Sequence, residues 1–194
     1  MHTEHKTTAD VILPESPACP LNVVLGGTPL LGRLTGIGRY TYELARALVA
    51  SQIVDDLKLW GDLSFLDAGM LMRGNPTSEG PAGLADKKNR GRSGSLAVSA
   101  RAFASRSYYA SMVYQFVSGA MAERRLRPLA DSHLYHSPNF IMPHFDGAQV
   151  ITIHDLSTIR FPQFHRKQMV VLCEGGIRSA IEGKVHVILS LIHI

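Results

Sequence analysis

The sequence predicts an α/β protein: a parallel sheet with helices on both faces. Three observations carry that expectation. Short apolar runs alternate with segments of helical period, as in chains built from strand–helix–strand units. The first such run, Leu21 to Leu25, leads through glycines into an amphipathic helix. The clearest run, Ala148 to Ile153, ends on the polar pair His154-Asp155.

In chain order, Met1 to Pro20 is polar and proline-containing, and residues 1–20 are expected to be a disordered tail. Leu21 to Gly27 is short, apolar and closed by Gly-Gly, which fits a buried parallel strand. Ile37, Tyr40, Leu44, Ala47 and Leu48 recur at helical spacing, so Ile37 to Ser51 is expected to be a helix with one apolar face. Leu57 to Trp60 reads as a second strand. Gly61 to Arg106 is crowded with Gly, Pro, Ser and Arg and reads as a variable loop, with one helix near Leu63 to Met72. Ser107 to Arg125 is a predicted helix whose apolar stripe is Tyr109, Val113, Phe116, Val117 and Met121. Arg124, Arg125 and Arg127 complement its dipole and Pro128 stops it. His133 to His136 is a short strand followed by the turn Ser137-Pro138-Asn139. Ala148 to Ile153 is a strand, Phe161-Pro162 a turn, Phe164 to Ile181 a helix interrupted in pattern by Gly175-Gly176, and Val185 to Ile188 the start of a last strand.

The chain has 194 residues, 45% hydrophobic and 19% charged, which is the composition of a globular protein rather than a disordered one. No apolar run is long enough to span a bilayer, and Met1 to Asp10 lacks the apolar segment of a secretory signal. Cys19 and Cys173 are the two cysteines and neither sits in a Cys-x-x-Cys, so free thiols in a reducing compartment are expected. Net charge is +4, and from Lys87 to Arg127 there are nine bases against one acid, Glu123. One reading of that span is a solvated face and loop. The functional reading is contact with anionic lipid headgroups or a phosphorylated substrate. No nucleic-acid motif accompanies the charge, so nucleic acid is not an expected partner.

Two motifs carry chemistry. Thr35-Gly36-Ile37-Gly38-Arg39-Tyr40 opens the first helix, where bare N–H groups and the helix dipole suit a phosphate or sugar hydroxyl. The glycine spacing does not match the dinucleotide fingerprint, and no Walker lysine follows, so those modes of nucleotide binding are disfavoured. His154-Asp155 follows a strand, where ligands of open α/β sheets sit. His154 can donate to a substrate hydroxyl or stabilise developing charge, while Asp155 can fix its tautomer or cap the following turn. The plainer reading is a histidine bonded to backbone at a strand end. His133, His136, His144 and His165 are scattered without ligand spacing and are expected to be surface or packing residues, so no metal site is expected.

Taken jointly, PLLGRLTGIGRYTYELARAL (Pro29 to Leu48), HSPNFIMP (His136 to Pro143) and VITIHDLSTIRFPQFH (Val150 to His165) resemble the N-terminal half of a retaining glycosyltransferase of family 4. The resemblance covers most of Leu21 to Ile188, and its nearest flavour is the mannosyltransferase-like branch that builds bacterial surface polysaccharide. It implies a Rossmann-like domain, the acceptor-side half of a GT-B fold, over residues 21–188. It further implies a nucleotide-diphosphate sugar as donor, a glycan or lipid-linked acceptor, no cofactor and no metal. By resemblance, Gly36 and Gly38 line the cleft near the donor diphosphate, with Arg39 and Tyr40 beginning the helix behind it, and His154 lies close to the transferred sugar; the expected substrate-binding set is these four with Pro138 and Asn139, and the expected catalytic pair is His154 and Asp155. A cytoplasmic location follows, with peripheral contact at the inner face of an anionic membrane. Relatives often carry an acid at the end of the first strand, where this chain has Gly26-Gly27.

The donor-binding domain is expected to be missing. Residues 189–194, Leu-Ser-Leu-Ile-His-Ile, match what a sequencing-adaptor mosaic end encodes in one frame, and are expected to be non-native. The activity expected is transfer of a hexose such as mannose, with the chain alone inactive. Two rivals are a stand-alone module binding glycan or anionic lipid, and a nucleotide-dependent oxidoreductase, against which the glycine spacing argues.

Overall fold

The computed structural model describes residues 21–31, 35–69, 108–182 and 185–190. The expected tail at 1–20, residues 70–106 of the expected loop, Cys19 and residues 191–194 lie outside the described residues.

Six strands form one sheet. They are β1 (Leu21–Gly26), β2 (Val54–Trp60), β3 (Phe65–Leu66), β4 (Leu134–Ser137), β5 (Gln149–Ile153) and β6 (His186–Leu189). Their order is β3-β2-β1-β4-β5-β6. All neighbours run parallel except β2 and β3, which are antiparallel. The predicted fold class, α/β and Rossmann-like, is therefore the one observed. The chain leaves β1 toward β2 and later returns to the other side of β1 as β4. That reversal opens a crevice at the carboxyl ends of β1 and β4, the place where such sheets bind ligands.

Each strand sends neighbouring side chains to opposite faces. On one face Leu25 and Leu59 pack with Leu30, Tyr42 and Ala45 beneath helix α1 (Gly36–Ala50). On the other, Val24, Trp60, Tyr135 and Phe145 enclose Ala122 and Leu126 of helix α2 (Tyr108–Leu126). A short helix α3 (Ser157–Arg160) follows β5, and helix α4 (Lys167–Ile181) covers Phe140 and Ile153 through Cys173.

One helix turns a different face inward from the predicted one, and α1 turns the predicted face only in part. In α1 Ile37, Tyr40, Leu44 and Leu48 are half-buried, with Leu44 against the core, but the fully buried positions are Gly38, Thr41, Tyr42 and Ala45, and Ala47 is exposed. Thr41 can be buried because its hydroxyl donates to the Ile37 carbonyl oxygen at 2.8 Å, which removes the cost of an unpaired polar group. In α2 Ala122 and Leu126 face the core, whereas Val113, Phe116, Val117 and Met121 of the predicted stripe face outward. Phe65–Leu66, expected within a helix, instead pairs with the end of β2.

The glycine pair in α4 has a packing cause. A Cβ on Gly176 would lie 2.3 Å from the Phe140 carbonyl oxygen, so only glycine lets the helix approach that segment so closely. A Cβ on Gly175 would meet nothing within 4 Å. Helix α1 closes differently: Gln52 adopts φ 56°, the left-handed turn that ends a helix.

Candidate functional site

The first turn of α1 starts at the sheet's carboxyl edge. Thr35 caps it, its hydroxyl accepting from the Gly38 N–H at 3.3 Å, and the Arg39 N–H donates to the Thr35 carbonyl at 2.9 Å. Gly36 and Ile37 precede these two. Their N–H groups have no helical partner to use, which leaves the positive end of the helix open there. A Cβ on Gly36 would meet nothing within 4 Å, so that glycine faces open space.

One turn further along, Tyr40 reaches across to β5. Its hydroxyl lies 3.2 Å from the Thr152 hydroxyl, which lies 2.9 Å from Nε2 of His136 on β4. Thr152 is fully buried and His136 is 7% exposed. Burial pushes the His136 imidazole down to about 4, so it stays neutral at neutral pH. This chain of tyrosine, threonine and histidine clamps α1 onto β4 and β5 below the crevice.

His154 emerges directly above it. The Tyr40 ring meets the His154 ring edge-on, centroids 4.8 Å apart with planes at 82°. Nε2 of His154 lies 2.8 Å from the Pro138 carbonyl oxygen. A carbonyl can only accept, so Nε2 carries the hydrogen and Nδ1 is left for another partner. Tyr40 and Pro138 thus fix the plane and tautomer of the ring.

Asp155 has a different partner from the one that tautomer control requires. One carboxylate oxygen accepts from the Ser157 N–H at 2.9 Å and from the Ser157 hydroxyl at 2.7 Å. The Ser157 hydroxyl, opposed by partial burial, holds the Asp155 carboxyl below its usual value. Of the two roles open in sequence, capping the next turn is the one the geometry takes, and Pro138 orients the histidine.

A cleft of about 270 Å³ lies between the ends of β1 and β2 and the helix α2, and Asn139, the residue after Pro138, is in its wall. Trp60 forms part of its wall, and Asp62, Gln115 and Asn139 supply polar groups. Asp62 accepts from the Thr28 hydroxyl and from the Tyr114 hydroxyl, each at 2.7 Å, which pins its carboxylate. Burial, helped by the Asp62 charge, pushes the Tyr135 hydroxyl up and keeps it protonated. The Asn139 side-chain oxygen accepts from the Ile141 N–H at 3.1 Å, which leaves its amide NH₂ as the group's donor.

Of the residues singled out in sequence, the structure gathers Gly36, Gly38, Tyr40, Pro138 and His154 at one edge. Asn139 alone among them lines the cleft, and Arg39 is exposed on the solvent side of α1. Asp62 and Thr152 were missed. Asp62 carried a usable signal: it stands two residues past a parallel strand, in Trp60-Gly61-Asp62, where ligands of such sheets bind. Thr152 showed only as a polar residue inside the apolar run Val150 to Ile153. Two of the scattered histidines have carboxylate partners: His133 sits 3.1 Å from Asp56, and His144 3.3 Å from Asp146. Among the described residues no helix is long and apolar enough to cross a membrane.

The chain is similar to the O-antigen chain mannosyltransferase B of Escherichia coli, with 28% identity over 162 residues. The similarity spans 84% of this chain but 39% of that relative, so the chain corresponds to about two fifths of its length. No protein-family profile matches the chain, and no solved structure matches it. The similarity supports a glycosyltransferase family.

Proposed function

We propose that the chain is the acceptor-side half of a GT-B glycosyltransferase of family 4. In this reading the full enzyme transfers a hexose, mannose by the relative's name, from a nucleotide-diphosphate sugar to a glycan or lipid-linked acceptor. The observation that carries the reading is the oriented His154. It stands at the carboxyl edge of the sheet, held by the Pro138 carbonyl and the Tyr40 ring, on the segment that resembles the family.

The chemistry follows from charge. Glycosyl transfer builds positive charge on the sugar ring and negative charge on the departing diphosphate. The open first turn of α1, at Gly36 to Gly38, offers N–H groups and dipole to the diphosphate. His154 presents Nδ1 toward the transferred sugar, where it can hydrogen-bond a hydroxyl or stabilise charge as it develops. Asp62 and the Asn139 amide are suited to acceptor hydroxyls, as a fixed acceptor and donor of hydrogen bonds. Asp62 also supplies, from β2, a carboxylate at the edge where the first strand offers only Gly26-Gly27.

The test is donor turnover by an enzyme carrying both halves, with His154→Ala. Loss of one charge-stabilising group predicts turnover lowered by roughly a hundredfold to ten-thousandfold. Undiminished turnover would remove His154 from the chemistry and with it this reading of the site.

A further inference from the structure

Tyr40 has both its ring and its hydroxyl engaged inside the protein. The ring meets the His154 ring edge-on, centroids 4.8 Å apart and planes at 82°. The hydroxyl lies 3.2 Å from the Thr152 hydroxyl, which lies 2.9 Å from Nε2 of His136. Thr152 can accept from one of these neighbours while it donates to the other. Thr152 is fully buried and His136 nearly so. Holding α1 on the sheet does not call for this polar chain, because Leu25, Leu59, Leu30, Tyr42 and Ala45 already pack together there. Apolar side chains at the three positions would add contact without taking polar groups out of water.

We propose that Tyr40 is a positioning residue for His154, and that Thr152, backed by His136, holds Tyr40 for that task. The Pro138 carbonyl, 2.8 Å from Nε2, fixes one point of the imidazole. A carbonyl accepts over a broad range of directions, so that one bond leaves the ring free to rock about the N–H···O line. The Tyr40 ring blocks the rocking, and it can do so only while its own orientation is fixed. The hydrogen bond to Thr152 anchors the far end of the tyrosine and so fixes it. Nδ1 of His154 is thereby held toward one place. The consequence for rate rests on the role proposed for His154. A charge-stabilising group helps only where it meets the reacting atoms, and a displacement of about 1 Å can cost roughly a hundredfold. Tyr40, Thr152 and His136 act through His154 and need not touch substrate.

Two measurements test this. The first needs no substrate: the 194-residue chain, isotope-labelled at its histidine nitrogens, is read by NMR at alkaline pH, where neutral imidazoles report their tautomer. His154 is identified by the signals lost in His154→Ala. The wild type should show hydrogen on Nε2 alone, and Tyr40→Phe and Thr152→Val should show a mixture of tautomers. The second is turnover by an enzyme carrying both halves. Tyr40→Phe should lower kcat roughly tenfold to a hundredfold and leave both KM values within about twofold. Thr152→Ser, which keeps the hydroxyl, should retain more of kcat than Thr152→Val. Tyr40→Phe combined with His154→Ala should be no slower than His154→Ala alone, since the tyrosine acts through the histidine. An unchanged circular dichroism spectrum checks the fold of each variant. A single tautomer in both variants, wild-type kcat in Tyr40→Phe, or a loss from Tyr40→Phe that persists in full without His154 would overturn the proposal. Full turnover by His154→Ala would instead sink the catalytic reading, and the NMR spectra would still decide whether Tyr40 sets the ring.

Discussion

The buried imidazole of His136 makes the fold sensitive to mild acid. Its ring is 7% exposed and rests on the Thr152 hydroxyl at 2.9 Å, and among the described residues no carboxylate pairs with it to favour a proton. Burial moves the group from an ordinary 6.5 to about 4 in the folded chain. Below pH 6.5 the unfolded chain therefore holds more protons than the folded one, so stability falls as pH falls. The contribution is whole above pH 6.5, declines between 6.5 and about 4, and is gone below that. The gap amounts to at most about 3 kcal/mol, a large share of the stability of an ordinary domain. Urea denaturation across this window, for the wild type and for His136→Gln, isolates the effect. Asp56 and Asp155 also have lowered values, but from 3.8 downward, so their losses fall at more acid pH and are common to both proteins. The wild-type curve should drop toward that of the variant as pH falls, by about 1–3 kcal/mol overall. Parallel curves, or a wild type that gains stability on acidification, would refute the assignment.

The other predictions concern packing and the site. Thr152→Val removes the oxygen that His136 and Tyr40 share and should cost about 1–3 kcal/mol, read by urea midpoint; no change would mean the clamp contributes nothing. Gly176→Ala and Gly175→Ala should have opposite signs. The first drives a Cβ to 2.3 Å from the Phe140 carbonyl oxygen and should cost about 1–3 kcal/mol, against a helix-propensity gain of about 1. The second meets open space and should gain up to about 1 kcal/mol, so a pair of like sign in thermal melts would contradict the packing described for α4. In an enzyme carrying both halves, Asp62→Asn should raise the acceptor KM roughly tenfold and leave the donor KM unchanged, and a shift in the donor KM instead would place Asp62 on the wrong substrate.

Strands were legible in the sequence because burial on both faces demands mostly apolar runs, and Leu21 to Leu25 and Val150 to Ile153 are such runs, each with one polar residue, Asn22 and Thr152. Helix existence was legible for the same kind of reason. Which helix face turns inward was not. For α1 the rule that apolar residues seek the core put Leu44 there correctly but missed Thr41, which satisfies its own hydroxyl on the backbone and packs as if apolar. It misplaced α2, because the small residue Ala122 and the single Leu126 suffice for the core. Residue spacing alone could not tell a stripe that meets the sheet from one that meets solvent. Gly176 shows the converse limit: the sequence gives a weak helix former, and only the neighbouring Phe140 carbonyl explains why it is tolerated there.

The site divides along the same line. His154 was legible because a strand end fixes where the next side chain stands, whereas its partners come from distant segments. Pro138 lies 16 residues away from it in sequence. Tyr40 is joined to the cluster through Thr152, 112 residues from it. Such pairings are set by strand order, since β4 must lie between β1 and β5 for the Pro138 carbonyl to reach the imidazole and for α1 to span both strands. The same order puts Asp62, at the end of β2, beside Thr28 after β1. The crevice is thus assembled from four strand ends by one topological reversal. Histidine orientation, carboxylate placement and the open helix turn are three consequences of that reversal, so a change that breaks the β1–β4 pairing should disturb all three together.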